Sequence, residues 1–127
     1  MHDLLANASL FYGESHTMAA EAAVLGVPSV YVSNSKRGYT EELSNKYQLI
    51  YGYGNNMPEI EQSLQKSIEM LKNPAIKTEW QQKRQKMLSE KIDTSKFLTW
   101  FIENYPQSIR VMKENPDYQY NFKRWFL

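Results

Sequence analysis

The sequence contains no cysteine and only two histidines, His2 and His16, among its 127 residues. The lack of cysteine excludes disulfide scaffolds, thiolate zinc sites and cysteine nucleophiles. Two histidines are also too few for a histidine-rich metal site. We therefore expect no metal centre and no bound cofactor.

Long apolar runs are missing as well. No segment approaches the roughly 18 consecutive apolar residues that a membrane-spanning helix needs. The chain begins MHDLLANASLFYG, which lacks the basic region and long apolar core of a secretory signal. These absences predict a cytoplasmic protein without a membrane span.

A strong overall charge is absent, since the net charge is +1, but the charge is unevenly distributed. Residues 1–63 carry three basic and seven acidic side chains, whereas residues 64–127 carry twelve basic and seven acidic ones. A basic half can bind nucleic acid or a membrane surface. Here glutamine and glutamate separate the basic residues within predicted helices, so we favour a solvated helical face and expect no nucleic-acid partner.

Three short apolar segments, at residues 9–12, 29–32 and 49–51, begin at intervals of 20 residues. Each is too short for a helix and rich in β-branched or aromatic residues, which is typical of buried strands. Residues 17–25 and 40–46 between them have helical character. The alternation predicts an α/β fold with a short parallel sheet of about three strands, covered on both faces.

The second half of the chain predicts three further helices. Asn56 and Glu59 form a capping-box-like start for the first, and Asp93 is the predicted cap of the third. Their apolar stripes, which we expect in the core, comprise Ile60, Leu64, Ile68 and Leu71, then Ile76, Trp80, Met87 and Leu88, then Phe97, Leu98, Phe101 and Tyr105.

Residues 106–127 form an unusually apolar terminus, which we separate from a domain at residues 1–105. Its apolar residues are Val111, Met112, Tyr118, Tyr120, Phe122, Trp125, Phe126 and Leu127. The tail either packs back on its own domain as a helix or docks on a partner surface. We favour the first interpretation.

The segment from residue 13 to residue 28 is the most informative one. A turn at residues 13–16 connects the first predicted strand to a helix whose free N–H groups, near Thr17 and Met18, favour an anion. Glu21, one turn into that helix, is suited to accept hydrogen bonds from sugar hydroxyls. Gly26 is the predicted left-handed end of the helix.

Each of these residues also has a purely structural interpretation. Ser15 or Thr17 is an ordinary helix cap, His16 is a solvent-exposed loop residue, and Glu21 is a surface carboxylate. From the residues alone, this segment predicts only an anion site.

The run from residue 12 to residue 28 resembles the segment with which GT-B-fold enzymes grip a nucleotide sugar. The shared pattern is a small-residue turn, a helix that carries glutamate, then Leu-Gly-x-Pro and an apolar strand. UDP-N-acetylglucosamine 2-epimerases and the murein-precursor N-acetylglucosaminyltransferases are similar here. An uncharacterised family of microbial glycosyltransferase-like proteins is more similar still, with Gly-Glu-small-x-Thr-Met before Glu-Ala-Ala. The resemblance covers residues 3–53 and extends in helical pattern to about residue 105.

The resemblance implies a C-terminal, nucleotide-sugar-binding domain. In the characterised relatives the turn amides hold the pyrophosphate and the helix glutamate holds the ribose. Lys36 or Arg37, in the loop after the second strand, is placed to pair with a phosphate. The resemblance matches the pyrophosphate to the turn at residues 15–17 and the ribose to Glu21, but the second-strand loop motif of the characterised enzymes is not reproduced, which leaves the donor sugar open. The predicted nucleotide- and phosphate-binding residues are Gly13, Glu14, Ser15, His16, Thr17, Met18, Glu21 and Arg37, and no residue is predicted as catalytic.

The chain departs from the GT-B pattern in size. GT-B enzymes react in a cleft between two Rossmann-like domains, and this chain has room for one, without its first strands. The predicted architecture is a three-layer Rossmann-like half-domain with additional C-terminal helices and an unpaired sheet edge. The chain is then a fragment, a half that needs the missing N-terminal domain or a second chain, or a domain that forms a homodimer.

Two functions follow from this sequence. The first is a half-domain that binds UDP or a UDP-sugar for glycosyl transfer or epimerisation, without catalysis on its own. The alternative is a non-enzymatic protein-interaction module that uses the open sheet edge and the apolar tail. A receiver-type domain is excluded because the predicted strands do not end in the acidic cluster that receivers need.

Overall fold

The structure, a computed structural model, describes residues 2–123. Trp125, Phe126 and Leu127 of the predicted apolar tail lie outside the described residues. The helices and strands in chain order are α1 (His2–Ala6), β1 (Phe11–Gly13), α2 (His16–Val24), β2 (Ser29–Val32), α3 (Gly38–Asn45), β3 (Ile50–Tyr53), α4 (Met57–Lys72), α5 (Ile76–Glu90), α6 (Thr94–Glu103), α7 (Gln107–Glu114) and a 3-10 helix (Pro116–Phe122).

The three strands form one parallel sheet in the order β1-β2-β3. Tyr12 lies opposite Val30, and Val30 lies opposite Tyr51. Helices α2 and α3 are the crossovers, as parallel neighbours require. The predicted α/β class and the parallel three-stranded sheet of a Rossmann-like half-domain are confirmed.

Helices cover both faces of the sheet. On one face, the Tyr12 hydroxyl lies 2.7 Å from Ser63 Oγ of α4, and Lys66 Nζ lies 4.7 Å from the centroid of the Tyr51 ring. On the other face, the Tyr31 ring lies 4.5 Å from the ring of His16, the first residue of α2. All four residues of β2 are buried, which explains why its sequence shows no polar alternation.

Helix α2 ends as the sequence predicts. Gly26 has a φ of 84°, in the left-handed region that favours glycine. The Gly26 N–H donates to the Ala23 carbonyl and the Val27 N–H to the Ala22 carbonyl, which is the hydrogen-bond pair of a Schellman motif. Ala22 and Val27 also share an apolar cluster. This turn fixes the direction in which the chain enters β2.

Helix α5 supplies donors to the loops that lead into the strands. The buried Trp80 donates from Nε1 to the Leu49 carbonyl at 3.0 Å. Lys83 Nζ donates to the Gln48 carbonyl at 3.1 Å, and Arg84 Nε donates to the Val24 carbonyl at 2.6 Å. The edge of the sheet at which the strands begin is therefore held by side chains of α5. Burial lowers the pKa of Lys83.

Helix α4 begins as predicted but buries a different face. Asn56 caps it by accepting the Glu59 N–H at 3.1 Å. The Glu59 carboxylate accepts hydrogen bonds from the Gly54 N–H and from the Asn56 side-chain amide, and these bonds lower its pKa. The residues that face the sheet are Ser63, Ser67 and Met70.

The expectation that the apolar stripe of α4 lies in the core is wrong for most of its residues. Leu64, Ile68 and Leu71 are about half exposed, at 47%, 53% and 54%. The small hydroxyls of Ser63 and Ser67 bond to carbonyls within α4, at 2.6 and 2.8 Å, so their burial leaves no unpaired polar atom. The serine face packs against the sheet, and the apolar stripe points sideways into solvent.

The chain divides into two compact units, residues 1–84 and residues 85–127. The predicted boundary at residue 105 lies inside the second unit, between α6 and α7. In the first unit the core consists of fully buried side chains such as Val30, Leu49 and Ile50. Among residues 2–123, every helix is too short or too polar to cross a membrane.

The second unit is organised around aromatic rings. The expectation that the stripe of α6 lies in the core is wrong for Leu98 and Tyr105, which are exposed, while Phe97 and Phe101 are partly buried. The Trp100 ring lies 4.8 Å from that of Tyr118 and 5.3 Å from that of Phe122. The buried Ser108 hydroxyl donates to the Phe101 carbonyl at 2.7 Å and connects α7 to α6. The described part of the tail thus contacts α6 through Tyr118 and Phe122.

Candidate functional site

The turn after β1 and the loop after β2 both lie at the edge of the sheet where the strands end. Ser15, between β1 and α2, has an extended backbone and caps α2 by accepting the Met18 N–H at 3.2 Å. The next two N–H groups, of His16 and Thr17, have no acceptor within the helix because they belong to its first turn. They form a positively polarised end of α2.

His16 connects this turn to the rest of the edge. The Thr40 hydroxyl donates to the Arg37 carbonyl at 2.9 Å, so Thr40 Oγ1 accepts the proton of His16 Nδ1, 3.1 Å away. In the neutral ring, Nε2 then accepts the hydroxyl proton of Ser35 at 3.1 Å. The ring is buried, with 8% exposed, and the interpretation of His16 as a solvent-exposed loop residue is wrong.

The loop after β2 is thereby anchored on α2. Ser33 Oγ accepts the Ser35 N–H at 3.2 Å and lies 3.0 Å from Ser35 Oγ. A serine hydroxyl that donates to an imidazole is also the geometry of an activated nucleophile. An acyl-transfer site needs backbone donors for the oxyanion as well, and the Ser35 N–H is already used by Ser33. We therefore interpret the Ser35–His16 contact as an anchor of the loop.

A cavity of about 360 Å³ opens beside this anchor, at the ends of β2 and β3. Hydroxyl, amide and charged groups dominate its lining, which comprises Tyr31, Ser33, Asn34, Ser35, Lys36, Glu41, Ser44, Asn45, Gly52, Tyr53, Gly54 and Glu59. Its one cation, Lys36, lies 3.8 Å from Glu41. The many hydroxyl and amide groups, with two carboxylates against one cation, suit a polyhydroxylated ligand better than a bare polyanion.

Two aromatic residues shape this cavity. A Cβ atom at Gly52 would collide with the Tyr31 ring, so glycine at this position makes room for that ring. Burial raises the pKa of Tyr53, which favours its neutral, hydrogen-bonding form. Ser44, Asn45 and Tyr53 also line the cavity and are not predicted from the sequence. The available signal was their position at or near the ends of predicted strands and helices.

A second depression, of about 470 Å³, lies along the outer side of α2. It is mostly apolar, and its lining includes Thr17, Glu21 and the half-exposed ring of Tyr39. Thr17 is also the second residue of α2. The depression therefore begins at the polarised helix end and continues past the Glu21 carboxylate.

The remaining predicted site residues are not equally placed. Met18 packs against the cluster of Leu5, Ala22 and Val27, so its side chain belongs to the core. Glu14 is exposed in the turn, and Gly13 ends β1.

The other predicted cation, Arg37, is exposed at the cap position of α3. The structure thus groups Ser15, His16 and the loop of Arg37 at one edge, with Thr17 and Glu21 on the adjoining side of α2. Within residues 2–123, no group of three or more histidine, aspartate and glutamate side chains is arranged to hold a metal ion.

The chain was compared with models of protein families, with curated proteins and with solved structures. None of the three comparisons finds a match.

Proposed function

We propose that this chain binds a nucleoside diphosphate sugar, such as a UDP-sugar, at the edge where its strands end. The observation that carries the proposal is the hydrogen-bonded connection of His16 to Ser35 and Thr40. It holds the polarised start of α2 beside a polar cavity on one side and an apolar depression with a carboxylate on the other. The helix end, the polar cavity and the apolar depression lie side by side, as do the diphosphate, the sugar and the nucleoside of a nucleotide sugar.

Each part of the ligand has a matching surface. The diphosphate accepts hydrogen bonds from the His16 and Thr17 N–H groups, with support from the helix dipole. The ribose and base lie along α2, where Glu21 accepts ribose hydroxyls and Tyr39 offers a ring face for stacking. The sugar enters the cavity beside Ser33 and Ser35. The two carboxylates of that cavity are already engaged, Glu41 with Lys36 and Glu59 with the N–H groups at the start of α4, so the proposed role is binding without catalysis.

The first test is an amide chemical-shift titration with UDP, UDP-N-acetylglucosamine and inorganic pyrophosphate. The proposal expects shifts at residues 13–21 with both nucleotides and further shifts at residues 33–45 only with the sugar nucleotide. Shifts with pyrophosphate that equal those with UDP would reduce the site to an anion site. No shifts at millimolar nucleotide would contradict the proposal.

The second test separates the ribose contact from the general charge of the chain. Glu21→Gln is expected to weaken UDP binding about tenfold because a charged hydrogen bond is lost. Glu103→Gln, on α6, removes the same charge far along the chain and is expected to leave the affinity unchanged. Equal affinities of both variants would remove Glu21 from the site.

The open edge of β1 favours a second candidate, a protein-interaction module. Among residues 2–123, β1 pairs with β2 alone. An unpaired edge of this kind is a template for pairing with another chain. The two candidates use different surfaces, and one chain can carry both.

A further inference from the structure

Strand β1 presents one pair of unpaired backbone groups. The Phe11 N–H donates to the Pro28 carbonyl at 2.9 Å, toward β2. Because backbone groups of successive strand residues point to opposite sides, the N–H and C=O of Tyr12 point away from β2. Within the described residues no other strand lies there.

Helix α4 presents an apolar stripe that no described residue covers. Met57, Leu64, Ile68 and Leu71 are 67%, 47%, 53% and 54% exposed. Scattered exposed apolar side chains are ordinary, but four along one side of a 16-residue helix form a contiguous patch. Such a patch marks an interaction surface.

The apolar stripe of α4 faces the edge of the sheet that β1 forms. Lys66 of α4 reaches toward β3, where its Nζ lies over the Tyr51 ring, whereas Ser63 reaches Tyr12 of β1. At 3.6 residues per turn, Leu64 and Ile68 are each about 160° around the helix from Lys66. The stripe therefore points away from β3 and toward the side of β1.

We propose that the Tyr12 edge and the α4 stripe together form the interface with a second copy of this chain. A two-fold axis perpendicular to the sheet would place two β1 strands side by side and antiparallel. It would also place two α4 helices side by side and antiparallel on the same face. The result is a continuous six-stranded sheet.

Self-complementarity favours a second copy as the occupant. Under the two-fold axis, each Tyr12 donates its N–H to the carbonyl of the other Tyr12. Leu64 and Ile68 lie near the middle of α4, so in the antiparallel pair they face Leu64 and Ile68 of the second copy.

The charges beside the stripe support the antiparallel arrangement. Glu61 and Lys72 lie on the solvent side of the stripe, near its two ends. Antiparallel helices bring Glu61 opposite Lys72 of the second copy, whereas parallel helices would bring like charges together. This inference does not depend on nucleotide binding, because the proposed ligand surfaces lie elsewhere.

The test is sedimentation velocity of the full chain from low micromolar to submillimolar concentration. The expected species at high concentration has about twice the 15.0 kDa mass of one chain. Amide exchange at Tyr12 is expected to slow as the concentration rises, because the dimer forms its missing hydrogen bond. A chain that stays monomeric throughout overturns the proposal.

Charge reversal tests the antiparallel geometry. Glu61→Lys is expected to weaken dimerisation, and adding Lys72→Glu in the same chain is expected to restore it. Leu64→Glu, which buries a charge in the interface, is expected to weaken the dimer about tenfold or more. Leu98→Glu on α6, at a comparably exposed position, is the control and leaves the dimer intact.

Far-UV circular dichroism confirms that each variant is folded. A dimer that Leu64→Glu leaves unchanged, or a double charge reversal that does not restore association, would also overturn the proposal.

Discussion

The two units of the chain differ in how deeply each buries a tryptophan side chain. Trp80 in the first unit is 2% exposed, and its N–H bonds to a strand-leading carbonyl. Trp100 in the second unit is only half-buried, and its contacts are with the rings of Phe97, Phe101 and other aromatic residues. The first unit buries its tryptophan completely, whereas the stacked rings of the second unit remain partly exposed to solvent.

The difference follows from what each unit must bury. The faces of a parallel sheet present side chains, and helices cover both of them, so its unit has fully buried aliphatic side chains. Helices satisfy their own backbone hydrogen bonds and tolerate partial burial. A unit of about 40 residues is also too small to bury much of its surface. We therefore expect the first unit to be the more stable of the two.

The largest expected effect is that of Trp80→Ala. Removal of a fully buried tryptophan costs about 3–5 kcal/mol, and the Leu49 carbonyl is left without its donor. Urea unfolding followed by circular dichroism measures the loss, and hydrogen exchange of β2 amides shows whether it is global. Trp80→Phe keeps most of the volume and removes the N–H, so it is expected to lose about 1–2 kcal/mol. A loss of under 1 kcal/mol for Trp80→Ala would contradict the proposed core.

Trp100→Ala tests the other unit and is expected to have a smaller effect. Half-buried aromatic pairs contribute about 0.5–1.5 kcal/mol each, so losing the contacts with Tyr118 and Phe122 costs about 2 kcal/mol. Exchange of α6 and α7 amides is expected to accelerate while β2 amides keep their protection. Equal acceleration in both units would show that they unfold as one, and the contrast between them would then fail.

Backbone conformation gives a third test, within the first unit. Gly26→Ala forces a Cβ into a left-handed conformation and is expected to cost about 1–2 kcal/mol. Gln48, after α3, has a φ of 54° without being glycine. Gln48→Gly is therefore expected to gain up to about 1 kcal/mol, measured by urea unfolding of both variants. If both substitutions raise the free energy of unfolding, or both lower it, the assigned conformations are contradicted.

The smallest expected effect is a dependence on pH. Hydrogen bonds from the Gly54 N–H and the Asn56 amide lower the pKa of Glu59 below its ordinary value of 4.5. The stabilisation is therefore complete above the ordinary pKa and is lost as the pH falls through the lowered pKa of the folded state. Glu59→Gln is expected to remove this part of the acid dependence, as measured by thermal unfolding between neutral and acid pH. An unchanged acid dependence would mean that the carboxylate does not stabilise the start of α4.

The sequence predicted the fold better than it predicted the exposure of side chains. The apolar runs of β2 and β3 and the glycine after α2 have local causes, so they were found. The stripe of Leu64 and Ile68 shows that α4 is amphipathic, but no pattern in α4 reveals that a serine face would take the buried position. Which face is covered depends on the neighbouring elements.

The candidate site was predictable in part for the same reason. The anion-binding character of the start of α2 follows from a local turn, and it remains a prediction. The burial of His16 depends on Ser35 and Thr40, which are 19 and 24 residues away. The cavity at the ends of β2 and β3 depends on contacts between distant segments, so the sequence indicated only Lys36 of its lining.

The donors of α5 also bear on how this fold can change over evolution. Lys83 and Arg84 hold the carbonyls of Gln48 and Val24, so an insertion at either loop would break a specific backbone contact. At the opposite edge of the sheet, Lys36 and Arg37 are exposed and follow the Ser35 anchor, so the connection can lengthen between them without touching those contacts. Insertions are therefore expected to be tolerated at that connection, while the loops held by α5 keep a constant length.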